Sequence, residues 1–582
     1  MKKLLILLLI LTSCSEKSDT IKDKATNDFT TIFEKSEGLE TATYDETIQY
    51  YTDLAERYSE VSIQEIGATD SGKPLHIVTL NMTSTGDDFK TLRQSNRILM
   101  INNGIHAGES DGIDATMLLY RDIVQGKIEA PKHTIIVTIP IYNVGGSLNR
   151  NTGTRTNQNG PKAYGFRGNA RNYDLNRDFI KSDTKNAKTF AQIFHLVQPD
   201  VFIDNHVSNG ADYQYTLTHL FTQHNKLGGQ LGRYLHSEMM PQLEKKLEAK
   251  SWDITPYVNV FNRTPDSGFS QFMDSPRYST GYTTLFNTLG MMVETHMLKP
   301  YKLRVEGTYE LMKSMLEITE EQGDKISQLR KEQAKTWSAG DTYPLAWTID
   351  TTKSSLLKFK GYEGKMVLSE LTGAQRLKYD PSKPFTKDVI YQNYFKATDS
   401  VTIPKAYVIP QGWYTIIEVL ELNNVELSTI EKDTILTVES YKIDDYKTRP
   451  NAYEGHYAHY NTNVKTTKEK VIFKQGDYIV NTNQNALRYL LETLEPTAAD
   501  SFFNWNFFDT ILQQKEGFSP YVWEDKALQL LKTNPKLQIK YNVKISYDKD
   551  FANNCYAQLD WLHKQSKNYE KAHLQYPVYR LN

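Results

Sequence analysis

Along residues 41–338 short apolar runs alternate with stretches in which apolar residues recur every three or four positions. That alternation of buried strands with packed helices predicts an α/β domain. Ile98 to Ile101, bounded by polar residues, reads as a strand buried on both faces; helical spacing begins beyond it at Ile113, Met117 and Tyr120, with Ser110 or Asp111 as a cap. His133 to Tyr142 and Asp200 to Asp204 repeat the strand pattern, and Met291 to Val293 is a shorter case. Ser62 to Ile66 and Pro74 to Leu80 predict two further strands. Helices are expected over Tyr44 to Tyr58, over 184–198, twice between His219 and Lys250, and as a long closing element over Leu303 to Trp337.

The pattern changes after residue 338. From Tyr343 to about Asp477, short Val/Ile/Thr/Tyr-rich runs alternate with turns, among them the run AYVIPQGWYTIIEVL, and predict antiparallel β structure. Asn485 to Leu494 and Asp525 to Leu531 read as helices. The aromatic-rich stretch between them reads as a packed contact before it reads as a carbohydrate- or peptide-binding surface. The expected organisation is therefore a mixed, mostly parallel sheet flanked by helices over 41–338 and a β-rich, then helical, accessory region over 339–582.

The strand patterns matter because of what stands at their ends. The first delivers His106 and Glu109 into a turn, another runs into Asn205-His206, and a third leads into Glu294. In a parallel sheet with helical crossovers the carboxyl ends of the strands share one edge, so these residues converge. His-x-x-Glu alone decides little: 13 His and 70 acidic residues in 582 give roughly one or two such pairs by chance. Joined by His206, however, His106 and Glu109 form a His₂Glu set, the ligands of a catalytic zinc with an open water position. Glu294 then reads as a general base, with His296, two residues on along the same strand face, as an alternative ligand. Arg167, Arg171 and Arg177 lie in one long loop; a guanidinium there can grip a carboxylate or stabilise an oxyanion, and Arg171 reads as surface solvation.

Composition narrows the partners. With a net charge of −2 and 24% charged residues, nothing points to nucleic acid. Residues 1–14, MKKLLILLLILTSC, read as a secretory signal, and Leu11-Thr12-Ser13-Cys14 resembles the lipobox of bacterial lipoproteins, in which the cysteine is lipidated. The expectation is export and lipid anchoring at Cys14 to a bacterial membrane, periplasmic or at the cell surface, with 15–40 as a polar tether. Lipidation would leave Cys555 as the remaining thiol and no intrachain disulfide.

These residues together make the chain resemble the zinc metallocarboxypeptidases, the group that includes carboxypeptidase A, over roughly 40–335. His106-Ala107-Gly108-Glu109 matches the family's zinc pair, His206 its third ligand, and Val293-Glu294-Thr295 its general-base segment. Asp174-Leu175-Asn176-Arg177-Asp178-Phe179 matches the segment whose Asn and Arg hold the substrate's terminal carboxylate. Arg167 falls where the family polarises the scissile carbonyl. Three departures stand out: Asn143-Val144-Gly145-Gly146 replaces Asn-Pro-Asp-Gly, Gly108 stands where some members carry an arginine, and the family's mobile tyrosine has Tyr278 and Tyr282 as rival counterparts. The resemblance implies one zinc per chain and hydrolysis of C-terminal peptide bonds of peptides or proteins. A peptidoglycan stem-peptide hydrolase, an acyl-amino-acid deacylase and a non-catalytic peptide- or glycan-binding surface lipoprotein are the alternatives.

Overall fold

The computed structural model describes residues 28–83, 86 and 88–582, so Cys14 and the signal segment lie outside the described residues. Nine strands belong to the first part of the chain: β1 (Val61–Ala68), β2 (Pro74–Leu80), β3 (Arg97–Asn102), β4 (Thr134–Ile139), β5 (Val201–Ser208), β6 (Leu217–Phe221), β7 (Ile254–Pro256), β8 (Phe269–Ser270) and β9 (Leu289–His296). All but β8 form one sheet in the order β1-β2-β4-β3-β5-β9-β6-β7. Its centre, β4-β3-β5-β9, is parallel; the β1-β2, β2-β4 and β9-β6 pairs are antiparallel, and the edge strand β7 runs parallel to β6.

Strands β3, β4, β5 and most of β9 are buried along their length, which is why they read as continuous apolar runs rather than alternating ones. The chain leaves β3 through helix Asp111–Val124 to reach β4 on one side, then returns through helix Lys185–Val197 to β5 on the other. Right-handed crossovers in opposite directions put those two helices on opposite faces of the sheet. They also open a crevice at the carboxyl ends of β3 and β5, where the chain departs in different directions. Helix Tyr301–Gln333 packs along helix Asp111–Val124 and closes this part of the molecule.

Several elements differ from the expectation. β5 and β9 run four and three residues beyond the expected ends, so His206 and Glu294 lie within strands rather than after them. β6 and β7 were not legible; β7 is three residues long and holds Pro256. The described part of the expected tether is packed from Phe29 on. Phe29 and Phe33 are buried in the core, and helix Ile32–Lys35 carries a complete capping box between Thr31 and Glu34.

The second part of the chain contributes β10 (Thr342–Ile349), β11 (Ser355–Leu368), β12 (Gln375–Gln392), β13 (Phe395–Thr402), β14 (Ala406–Ile409), β15 (Ser428–Thr429), β16 (Thr434–Thr448), β17 (His459–Phe473), β18 (Tyr478–Asn481) and β19 (Tyr579–Leu581). β11 and β12 form a long antiparallel hairpin that pairs with β8. β16 and β17 form a second long hairpin in a six-stranded sheet. The run after β14 is not a strand. Pro410 ends β14, and Tyr414–Leu422 is a helix that buries Ile416, Ile417, Val419 and Leu420, a helical spacing beneath a β-branched composition. Residue 338 is not a packing boundary either: Tyr343, Tyr407 and Tyr489 belong to the same hydrophobic core as Leu99 and Met291. Phe502, Phe503, Trp505 and Phe508 are buried, so the aromatic stretch is packing. No helix among the described residues is long and apolar enough to cross a membrane.

Candidate functional site

The chain leaves β3 at Asn102 and turns through Gly104, which has a φ of 62° that a β-carbon would disfavour. The turn lands His106 and Glu109 over the crevice, closed by a hydrogen bond from the Glu109 amide to the His106 carbonyl. The opposite wall comes from β5 and β9, whose register sets His206 directly beside Glu294. Residues separated by about a hundred positions in sequence thus meet at one edge of the sheet, as the strand ends required.

His106, Glu109 and His206 are all buried, and among the described residues they form a group whose donor atoms lie within 4.8 Å of one another. Nδ1 of His106 lies 3.2 Å from Glu109 Oε1, and Nδ1 of His206 lies 3.2 Å from Glu109 Oε2. The two Nδ1 atoms are 3.3 Å apart. Both rings turn the other nitrogen outward to a carboxylate: His106 Nε2 lies 3.0 Å from Asp174 Oδ1, and His206 Nε2 lies 2.9 Å from Asp204 Oδ2. A carboxylate behind each ring holds the proton on Nε2 and leaves the Nδ1 lone pair facing the cluster. Three nitrogen and oxygen donors converging on one point, with both tautomers set from behind, fit a zinc ion.

The charges around the cluster are unequal. Burial works against ionising Glu109, but His106 and Arg155 outweigh it and hold the carboxyl well below the usual range. Burial pushes Glu294 the other way, up to about 7, helped by the charge of Glu109 and opposed by His206 and Arg167. Two carboxylates at one site with separated affinities for a proton are the arrangement of a fixed ligand beside a proton carrier.

The arginine loop is stitched to this edge by close backbone contact. The Gly165 amide donates to the Ala107 carbonyl, the Phe166 amide donates to the Gly146 carbonyl, and Asn143 Nδ2 donates to the Arg167 carbonyl. A β-carbon at Gly146 would come within 2.4 Å of the Phe166 carbonyl oxygen, so the Gly145-Gly146 turn is what lets the loop approach. Arg167 is held by Asp174, with Nε and Nη2 at 3.1 and 2.8 Å from Oδ2, and its Nη1 lies 3.7 Å from Glu109. Asn176 accepts the Ser279 amide on Oδ1, and the Arg177 guanidinium stacks 4.4 Å above the Tyr278 ring. Arg171 is exposed, over the ring of Tyr173.

The two tyrosine candidates separate clearly. Tyr278 lies beside Arg177, but Tyr282 is fully buried among Phe179, Phe190, Phe194 and Phe286, and its hydroxyl donates to Asn423. Tyr282 is therefore a core residue, not a cleft residue. Tyr257, just after β7, is another phenol near this edge: burial raises its pKa, and the charges of Glu294 and Glu109 add to that while Arg167 opposes it. His296 is not in the metal group; its Nε2 faces Asp212 at 3.3 Å.

Sequence reasoning missed Arg155, whose Nη2 lies 3.0 Å from Glu109 Oε1. Its side chain fills the space beside Gly108, where an added β-carbon would come within 2.6 Å of Arg155 Cδ. The cation absent from position 108 is thus supplied to the same place from the long loop. The orienting roles of Asp174 and Asp204 were also unread: Asp204 lies two residues before His206 on the same strand face, a spacing that is a usable signal.

Residues 47–201 match the family described as zinc carboxypeptidase. The chain is similar to carboxypeptidase 2 of Trichophyton rubrum, 20% identical over 497 residues that cover 80% of this chain and 84% of that protein. Carboxypeptidase 2 of Trichophyton equinum is 21% identical over 433 residues, 69% of this chain and 72% of the other. Among solved structures, carboxypeptidase A from Helicoverpa armigera superposes with a TM-score of 0.36 at 14% identity, covering 49% of this chain and 74% of that one.

Proposed function

We propose, starting from a chain that carries a domain of the zinc carboxypeptidase family, that it removes single residues from the C-termini of peptides by general-base hydrolysis. The observation that supports this most is the convergence at one sheet edge of three metal donors, a register-paired Glu294 and the arginine loop. His106 Nδ1, Glu109 and His206 Nδ1 would hold the zinc, which when bound supplies Lewis-acid polarisation and acidifies water toward a pKa of about 7.

Each remaining task falls to a residue of the chain. The Glu294 carboxylate takes the proton of the attacking water and passes it to the leaving amine nitrogen; a carboxyl whose affinity for protons lies near neutrality can do both. Arg167 stands beside Glu109 at 3.7 Å, where its guanidinium faces the oxygen of the scissile carbonyl as charge develops there. Asn176 and Arg177 take the terminal carboxylate, which imposes cleavage of the last bond. Tyr278 lies against the Arg177 guanidinium and supports it by a cation–π contact. The signal segment and lipobox at Cys14 carry with them the reading that the enzyme works outside the cytoplasm on a lipid anchor.

Glu294→Gln is the direct test. The variant is expected to keep one zinc per chain and to lose at least about a thousand-fold in kcat. Turnover within ten-fold of the unmodified protein would remove Glu294 from the role.

A further inference from the structure

The β16–β17 hairpin does not end in solvent. Its tip, residues 449–458, reaches across to the arginine loop of the candidate site and touches two of its functional residues at once. The Tyr453 hydroxyl accepts a hydrogen bond from Arg177 Nε at 2.9 Å. The next residue, Glu454, accepts the backbone amide of Asp174 on Oε2 at 2.8 Å. Asp174 is the residue whose carboxylate holds both His106 and Arg167.

The tip is fixed in place rather than resting there. The Tyr453 ring stacks on Trp505, with ring centres 6.2 Å apart and planes 17° from parallel. Trp505 is buried beneath the Arg277 guanidinium, which pairs with the buried Asp500 at 2.8 Å. On the other side of the tip His456 Nε2 reaches Asp183 Oδ2 at 2.7 Å. Glu454 adopts a φ of 49°, a left-handed conformation that a residue with a β-carbon disfavours. Strain of this kind persists where surrounding contacts hold it, and here it aims the carboxylate at Asp174.

The hydrogen-bond directions decide what the tip does. Arg177 has three nitrogens; Nε is taken by Tyr453, and one hydrogen of Nη1 goes to the Asn176 carbonyl at 2.8 Å. Nη2 lies 3.9 Å from Asp174 Oδ2, beyond hydrogen-bond range; with Nε taken the side-on face of the guanidinium is closed, and the end-on Nη1/Nη2 edge is where a carboxylate can still bind. The Tyr278 ring lies against the same group, with the guanidinium carbon 4.4 Å from the ring centre, so Arg177 is held from both Tyr278 and Tyr453.

We infer that Tyr453, contributed by the second part of the chain, is a positioning residue for the substrate's terminal carboxylate: it orients Arg177 for end-on capture, while Glu454 anchors the loop segment that carries Asp174. The C-terminal region is then a working part of the substrate site. This rests on the proposed role of Arg177.

The test uses the full chain and a peptide with a free C-terminal carboxylate, with kcat and KM measured for Tyr453→Phe, Arg177→Ala and the double variant. Tyr453→Phe removes one hydroxyl and keeps the stacked ring. It is expected to raise KM about ten-fold, the size of one hydrogen bond to a charged group, with kcat changed less than two-fold. In the Arg177→Ala background the same substitution is expected to add nothing. An unchanged KM in Tyr453→Phe, with Arg177→Ala impaired, overturns the inference and leaves the carboxypeptidase reading standing. A Tyr453→Phe effect that persists without Arg177 shows a merely structural role and overturns it too. An unchanged KM in Arg177→Ala overturns the assigned role of Arg177 and the inference with it.

Discussion

Behind each histidine of the metal cluster stands a carboxylate that was not among the expected site residues. Asp174 holds His106 through Nε2 and Asp204 holds His206 in the same way. Removing the charge while keeping the shape should loosen the tautomer and the ring together. Asp174→Asn is expected to weaken zinc binding by about 10–100-fold, measured by competition with a chromogenic chelator. Unaltered affinity would mean that the ring is set by packing alone. The ligands themselves were legible because residue type and position at strand ends are local facts. Arg155 was not: it approaches Glu109 from a loop without periodicity, and its partner lies 46 positions away in the chain. The choice between Tyr278 and Tyr282 stayed open for a related reason, since a sequence does not say whether a phenol near a helix start turns to the core, as Tyr282 does, or lies beside Arg177, as Tyr278 does.

At the scale of elements, the strands buried on both faces were the most readable. β3, β4 and β5 are buried on both faces, so composition sufficed. Tyr414–Leu422 has the composition of a strand and the spacing of a helix, and the helix forms because its apolar face meets the packed helix Lys185–Val197. That contact carries a pH-sensitive group. Burial lowers the pKa of His195 to about 4, where its Nε2 meets the Tyr282 hydroxyl beside Asn423. An imidazole whose folded value lies below its unfolded one of about 6.5 binds fewer protons folded than unfolded across that interval. Its stabilising contribution is complete above about pH 6.5 and is lost as pH falls toward 4. The unfolding free energy of the unmodified protein relative to His195→Gln should therefore decline over that window, by at most ~3 kcal/mol, in denaturant titrations at successive pH values. A difference independent of pH would place the proton elsewhere.

For the whole molecule the sequence divides where the structure does not. The change of pattern at residue 338 is real, from α/β to antiparallel β, but the hydrophobic core continues across it. β12 pairs with β8 of the first part, and Arg488 donates to the carbonyls of Lys226 and Leu227. A boundary in periodicity is therefore not a boundary in packing, and only the three-dimensional contact reveals it. Residues 28–338 produced alone should expose the face that Tyr343, Tyr407 and Tyr489 cover and should lack a cooperative thermal transition. A soluble fragment with a sharp transition and full activity would make the second part a detachable accessory. Co-folding of the two parts is also what places the β16–β17 tip at the site, so a shared core and a shared cleft are one arrangement seen at two depths.

The claim on which the rest depends is metal-dependent removal of C-terminal residues, and one measurement addresses it: amino acids released from a mixed peptide library with free or amidated C-termini, before and after chelation and after return of zinc. The account predicts release of single residues from free C-termini only, abolished by the chelator and restored by zinc. Equal release from amidated peptides, or release indifferent to the chelator, would contradict it.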